Sequence, residues 1–492
     1  MMRYRSAFAL SLLLGLLLSV YVLRISAPTD IDGFAQDRNV GYVMDALWNG
    51  HWLAQYDIQG RITSKPPLHT WIVAGFAKVG GLNRITLTLP SLLSIGLLVV
   101  LVYHAGRRYM GETAGFWAAF AIIMAPIIAK HVSLVRTDAL FTLATALAAL
   151  AAWRAWVHGK SWTPFWLAGA AATLIKGPLG LVLAAAGLLA VFWERRTSQE
   201  ATPRLSGNHR NGLILYFLIV FGWFLLALGS YGQELSDKMI FDELFGQATG
   251  SHKDSVPGSK LLYPKMYFIS RFSPFSLLAL WGIIQAFRSP ATCAQERRFE
   301  RFLVCWILAG IAIFSLAAHH RADLLLPLWP AGALLAGRCI AHLADRFGTR
   351  PVAWCAAAVC LLSLGITYWT YFQMPERRAR TVHYSESAKA AALAVRQAAI
   401  DPGQILHLDT PASFQMYLGT HRTWITPEQV MDAITTADYP ILVAVVQPEN
   451  FPLLFGQGSE TVWREVFRWP AQDDIPFLQI FSPEPAFPDT GL

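Results

Sequence analysis

The chain has 492 residues, of which 54% are hydrophobic and only 15% charged, against about 25% charged in an average soluble domain. Apolar stretches recur from Ala7 to Phe372 and mean hydropathy is +0.39, which excludes an ordinary water-soluble globule and makes the bilayer the solvent of most of the chain. The formal net charge of +8 does not point to nucleic acid, because Lys and Arg fall in short clusters between apolar runs, where they act as membrane orientation signals.

In chain order, apolar runs near 7–24, 85–105, 114–131, 138–153, 163–175, 178–193, 213–231, 273–287, 302–318, 323–343 and 352–372 predict a mainly α, polytopic membrane protein with about eleven transmembrane helices. The first run follows Arg3 and Arg5 without a small-residue cleavage site, so it reads as a retained helix. Basic connections at 107–108, 154–160, 195–210, 288–301 and 338–350 fall on one side, which the positive-inside rule makes cytoplasmic. The stretch 163–193 is either two short spans broken at Lys176-Gly177-Pro178 or one long tilted span. The first reading leaves long external loops at 25–84 and 232–272 and short external turns at Lys130–Asp138, Lys176 and His319–Asp323.

Residues 1–374 thus form a transmembrane domain, and 375–492 a small α/β soluble domain. In the latter, Ile405–Leu408 and Ile441–Val446 read as buried strands, and Glu386–Ala399 and Pro427–Thr435 as helices. Arg377, Arg378 and Arg380 pull this tail toward the cytoplasm, but large domains translocate largely regardless of charge, and it is placed outside. Cys293, Cys305, Cys339, Cys355 and Cys360 lie in or beside apolar runs, without disulfide or metal-finger spacing. Neither an internal repeat nor a glycine-rich nucleotide fingerprint is evident.

The unusual polar residues gather on the external side. Asp30, Asp32 and Asp37 precede two amphipathic runs, Val40–Trp48 and Pro67–Val79, which read as helices in the membrane interface. The aspartates either cap helix starts or hold a carboxylate at the surface, and Asp37 stands nearest the first helix. In Ser64-Lys65-Pro66-Pro67-Leu68 the prolines forbid helix before Pro67. That sets the Lys65 cation beside free helix N–H groups, which suits a phosphate. Arg136 and Asp138 sit where a span begins, where charge is costly and by default functional, with a local ion pair as the alternative. Lys176 interrupts an apolar hairpin. Glu243 and His252, with Lys253 and Lys260, lie in the Gly- and Ser-rich second loop, and Arg271 stands where the next span begins. His319-His320-Arg321-Ala322-Asp323 packs four polar groups between two apolar spans, with Arg321 the strongest candidate among them.

Lys65, Arg136, Lys176 and Arg321 are therefore expected to bind a phosphate, Asp37, Asp138 and Asp32 to be the catalytic carboxylates, and His252, His320, Arg271 and Glu243 to contact substrate. A sugar on a polyprenyl phosphate fits this chemistry. Its tail needs a groove between helices, its phosphate needs cations, and transfer needs a carboxylate to deprotonate the acceptor.

The order of an acidic first loop, Gly50-His51-Trp52-Leu53, Lys65-Pro66-Pro67-Leu68, Asp138, Lys176-Gly177-Pro178 and a Leu324–Pro330 run reading LLLPLWP resembles the GT-C integral membrane glycosyltransferases. The look-alikes are the bacterial aminoarabinose transferases that modify lipid A and their protein O-mannosyltransferase relatives, over roughly residues 10–345. The resemblance implies a polyprenyl-phosphate-linked sugar donor, a lipid A-like lipid, glycan or protein acceptor, a bacterial inner membrane, and a site and tail facing the periplasm. It also implies that a first-loop aspartate is the base, that Lys65 and Lys176 lie near the donor phosphate, that Asp138 is a second-loop acidic residue, and that Arg321 falls in the basic turn. Ala35 and Gln36 stand where the family often carries an acidic pair, which leaves the base between Asp37 and Asp32. Ser64 replaces a common glutamate, which weakens transfer of a metal site, although a divalent metal stays open. The rivals are a flippase or transporter of the same lipid-linked sugar and a non-catalytic membrane scaffold.

Overall fold

The computed structural model describes residues 2–27, 31, 34–198, 200–245, 262–317, 321–374, 386–436, 441–456, 461–470 and 477–483. Among them the chain forms two compact units, one made of Met1–Ala27, Ser64–Val73 and Thr88–Thr370, the other of Pro28–Thr63, Ala74–Leu87 and Tyr371–Leu492. The tail expected as a separate domain from residue 375 thus shares its unit with most of the first loop.

The helices needed below are α1 (Met2–Ile25), α2 (Phe34–Met44), α3 (Leu68–Gly80), α4 (Arg84–Met110), α5 (Glu112–Met124), α6 (Pro126–His131), α7 (Thr137–His158), α8 (Thr163–Lys176), α9 (Leu179–Ala186) and α10 (Ala190–Thr197). Seven helices in the described residues are long and apolar enough to cross a membrane: Ala7–Ile25, Arg84–Met110, Thr137–His158, Arg210–Glu243, Ala294–Leu316, Ala322–Phe347 and Thr349–Gln373. An eighth span results if Tyr263–Arg271 and Phe275–Arg288, bent by 115° at their junction, cross together.

Three of the eleven expected runs, 114–131, 163–175 and 178–193, form shorter helices. The expected span 114–131 is interrupted at Ala125, extended at φ −65° and ψ 126° ahead of Pro126, so that α5 keeps 13 residues and α6 six. The stretch 163–193 is broken where α8 ends at Lys176, and Gly177 takes φ +90°, a conformation that favours glycine. Helices α8 and α9 then fold back on each other closely: a Cβ on Gly180 would lie 2.6 Å from Ala172 Cβ. A hairpin with Lys176 at its tip therefore replaces the single tilted span.

Small residues set the packing of the first unit. On α11 (Trp329–Phe347), a Cβ at Gly337 would approach Ala114 O and Ala118 N of α5 to 2.5 Å. Such close backbone approach is how helices associate where lipid removes the hydrophobic drive between them. Many of the basic residues expected on the cytoplasmic side are paired with buried acids. Fully buried Glu194 meets Arg301, Arg297 at 3.3 Å and Arg298 at 3.4 Å, while Arg338 meets Glu300 and, at 2.8 Å, Glu296.

In the second unit the tail carries a four-stranded sheet, β1 (Ile405–His407), β2 (Leu442–Val445), β3 (Trp463–Trp469) and β4 (Leu478–Pro483), in the order β1-β2-β4-β3. The β1–β2 pair is parallel and the other pairs antiparallel. Alternation along β2 sends Ala444 to one apolar cluster, with Ile405, Phe414 and Ile480, and Val443 and Val445 to another, with Leu408, Val430 and Leu454. The expected helices appear as Ser387–Gln397 and Pro427–Thr436. All five cysteines are free thiols.

Candidate active site

Four segments of the first unit bring charged side chains to one end of α7. Ala125 and Pro126 re-aim the chain so that α6 ends on Lys130 and His131. Extended backbone then carries Arg136, at φ −143° and ψ 151°, to the start of α7, whose first turn holds buried Asp138. The α8–α9 hairpin supplies Lys176, and a 3₁₀-helix over Ala322–Leu328 supplies Asp323. Arg24 of α1 braces the arrangement, its Nε donating to Ala129 O at 2.9 Å.

Two carboxylates organise the cluster. Asp138 accepts from Lys176 Nζ at 2.5 Å through one oxygen, and its other oxygen forms an ion pair with Arg136 Nε at 3.2 Å without a hydrogen bond. Asp323 receives Lys130 Nζ at 2.9 Å, His131 Nε2 at 3.0 Å and Arg136 Nη1 at 3.0 Å. Arg136 therefore bridges both acids, and the planar fork of a guanidinium suits that role better than an ammonium does.

Lys65 and His69 face the same charges from the start of α3. Burial first, and then the Lys176 cation, hold the Lys65 ammonium down from its ordinary 10.5 to about 8, against the opposing pull of Asp138 and Glu243. Burial and then Lys65 lower His69 to about 4, so it is neutral at pH 7. Lys65, Lys130, Arg136 and Lys176 outnumber Asp138 and Asp323, and among them burial loosens the hold of half-buried Lys65 on its proton. An arriving phosphate restores that proton's hold and makes charge-assisted hydrogen bonds.

This has a testable pH consequence. Affinity for a polyprenyl phosphate should be flat from pH 7 to about 8 and fall above it as Lys65 deprotonates, whereas Lys65→Arg, charged throughout, should stay flat to pH 9.5. Equilibrium binding in nanodiscs measures both, and a wild-type affinity indifferent to pH would discard the assignment. Unfolding through this group does not confound the result. A lysine depressed in the folded state favours folding as pH rises from about 8 toward 10.5, because the unfolded chain then binds more protons.

Of the residues expected from the sequence, Lys65, Arg136, Asp138 and Lys176 are brought together, and Glu243 is close enough to act on Lys65. Arg321 is exposed, just before the 3₁₀-helix, and Arg271 is exposed at the end of Tyr263–Arg271. Asp32, His252 and His320 lie outside the described residues, as do Asp30, Lys253, Lys260, His319 and the three tail arginines. Asp37 belongs to the second unit, half-buried in the first turn of α2. Farther along the same segment, buried Asp45 accepts from Asn49 Nδ2 at 2.8 Å, meets His51 Nδ1 at 3.0 Å and accepts from Tyr56 N at 2.7 Å. Asn49 in turn meets His421 Nδ1 at 3.0 Å. The Gly50-His51-Trp52 turn is thus pinned by a carboxylate that sequence reasoning did not single out.

Lys130, His131 and His69 were also missed, and Asp323 was passed over for its neighbour Arg321. The usable signal was a carboxylate opening an apolar span, which held for Asp138 and applied equally to Asp323. Among the described residues no three His, Cys, Asp or Glu side chains gather as metal ligands. The His131–Asp323 pair is met by Lys130 and Arg136 instead.

The dolichyl-phosphate-mannose-protein mannosyltransferase family matches residues 64–223, which contain Lys65, Arg136, Asp138 and Lys176. The undecaprenyl phosphate-alpha-4-amino-4-deoxy-L-arabinose arabinosyl transferase of Pseudomonas savastanoi pv. phaseolicola is 24% identical over 374 residues, 74% of this chain and 68% of that protein. A Pseudomonas fluorescens protein of the same description is 26% identical over 69% of this chain and 60% of its own length. The crystal structure of ArnT from Cupriavidus metallidurans bound to undecaprenyl phosphate superposes with a TM-score of 0.72 at 16% identity, covering 97% of this chain and 98% of that one. The chain has the GT-C fold of the aminoarabinose transferase type. A more distant GT-C likeness is the Archaeoglobus fulgidus oligosaccharyltransferase, with a TM-score of 0.55 and 12% identity over 91% of this chain and 70% of that one. The GT-C assignment agrees with the polytopic helical unit and with the small sheet that follows it.

Proposed function

We propose that this chain is a multi-pass inner-membrane glycosyltransferase that takes a sugar from a polyprenyl-phosphate-linked donor, with the Lys65–Arg136–Lys176 cluster receiving the donor phosphate. The observation that carries this reading is the gathering of Lys65, Arg136 and Lys176 around buried Asp138, which already pairs with Arg136 and Lys176. In the reaction an acceptor hydroxyl oxygen bonds to the anomeric carbon as the bond from that carbon to the phosphate oxygen breaks, with inversion. The hydroxyl proton goes to a first-loop carboxylate, proposed to be Asp37, and the leaving phosphate keeps the bonding pair, stabilised by Lys65 and Lys176. Asp138, ion-paired with Lys176 and Arg136, is a positioning residue for those cations. The acceptor is proposed to be a lipid A-like lipid, a glycan or a protein on the periplasmic face, which is also where the tail is placed.

A flippase of the same donor is disfavoured by where the charges lie. Alternating access places substrate groups near the membrane midplane between paired repeats, whereas these gather at one end of α7 and α8.

The test is to reconstitute the purified protein with polyprenyl-phosphate sugars and a total envelope extract, and to follow free polyprenyl phosphate by mass spectrometry. Release is expected, and Lys65→Ala should weaken donor binding by roughly 10- to 100-fold, the worth of one charge-assisted hydrogen bond. Lys65-dependent binding with no release from any donor would transfer the chain to the transporter class.

A further inference from the structure

The end of α7 remote from Asp138 carries a second basic cluster, with different surroundings. From Asp138 to Arg154 the helix advances about 24 Å, so this cluster lies at the other boundary of the apolar region. A cavity of about 1100 Å³ opens there between α4, α7 and the start of α8. Arg108 enters it from the last turn of α4, Arg154 from the last turns of α7, and Lys160 from just beyond Gly159, while Leu101, Leu147, Leu150 and Leu167 form its apolar wall. Leu147 and Leu167 are 43% and 39% exposed.

The charge balance sets this cavity apart. The four arginines of the neighbouring helix ends, Arg297, Arg298, Arg301 and Arg338, are paired with four carboxylates, Glu194, Glu200, Glu296 and Glu300. Among the described residues no carboxylate forms an ion pair with Arg108, Arg154 or Lys160. His104 and His158 also line the cavity, and no carboxylate is among its described lining residues, which leaves the C-terminal ends of α4 and α7 to oppose the three cations. A helix end carries about half a negative charge and acts only over its last turn, which does not balance them. Three unneutralised cations above an apolar wall at a membrane boundary match a ligand with a phosphate at one end and hydrocarbon at the other. Basic pockets between transmembrane helices hold anionic lipid headgroups in this way.

We propose that this cavity holds an anionic phospholipid, its headgroup phosphate on Arg108, Arg154 and Lys160 and an acyl chain along Leu101, Leu147, Leu150 and Leu167. The site is separate from the donor cluster and does not depend on the transferase reading. Its occupant ties α4 to α7 and α8, the two helices that carry Asp138 and Lys176 at their far ends.

Native mass spectrometry of the full-length protein in neutral detergent, titrated with phosphatidylglycerol or phosphatidylcholine, tests this. Wild type should retain phosphatidylglycerol in preference to phosphatidylcholine, and R108A/R154A/K160A should bind it about 100-fold more weakly, at about 1 kcal/mol for each basic residue. Leu147→Trp, which fills the apolar wall and keeps every charge, should also reduce retention, and it decides the matter if the triple variant does not fold. Equal retention of the two lipids by wild type, or undiminished phosphatidylglycerol binding in the variants, overturns the proposal. Displacement by inorganic phosphate would make this a free-anion site, and full displacement by undecaprenyl phosphate would make it a carrier site. Either result overturns the phospholipid assignment.

Discussion

Asp37→Asn is expected to slow release of polyprenyl phosphate by about 10²- to 10⁴-fold, the range that a positioned general base contributes. Asp37 lies in the first turn of α2 and is half-buried, where the helix N-terminus favours a negative side chain. Asparagine keeps the shape of the side chain and removes its capacity to accept a proton, so the fold should survive. The appropriate measurement is single-turnover transfer alongside donor binding and thermal unfolding in detergent. A lost chemical step with donor affinity and melting temperature intact supports the base assignment. Undiminished turnover would reject Asp37 and turn attention to Asp32→Asn.

Asp323→Ala should be the most damaging single change to the first unit. The carboxylate is buried and is shared by Lys130, His131 and Arg136. Its removal leaves those groups without their common anion, and stripping one partner from a buried ion network costs about 3–5 kcal/mol. The melting temperature should fall clearly, and donor binding should fall with it, because Arg136 also holds Asp138. Arg321→Ala is the matched control two residues away: Arg321 is exposed, and a surface substitution is usually within about 0.5 kcal/mol of neutral. Equal effects from the two variants would show that the network around Asp323 contributes no stability of its own.

These two aspartates show how far periodicity and spacing reach. The apolar runs located the long helices because hydrocarbon demands about 20 apolar residues per span, and Lys176-Gly177-Pro178 marked a break through its backbone chemistry. Runs do not report where a helix stops short, which is why the extended Ala125 turned one expected span into two pieces. In the tail, the apolar runs of β1 and β2 were legible. Strand β3 alternates charged and aromatic residues at half-exposed positions, and β4 is a short mixed segment. Neither carries the continuous apolar signal of a buried strand. For the candidate site, single charges at span boundaries singled out Lys65, Arg136, Asp138 and Lys176, which the fold brings together. Which neighbour of a polar pair points inward depends on helix phase after a turn, and on that point Asp323 and Arg321 could not be separated by composition. Asp45 was hidden because nothing in the local run marks it as the carboxylate that meets His51, and another of its neighbours, His421, comes from a distant part of the chain.

That last contact also bears on the order in which the molecule is built. Asn49 and His421 are 372 residues apart in sequence, and a contact that closes so long a loop forms only after the intervening chain has been made and paid its closure entropy. The segment around Gly50 thus leaves the ribosome well before His421 and completes this contact only after it. A chain interrupted before residue 421 would carry every residue of the Lys65–Asp323 cluster, yet it would lack the histidine that meets Asn49 beside the Gly50 turn.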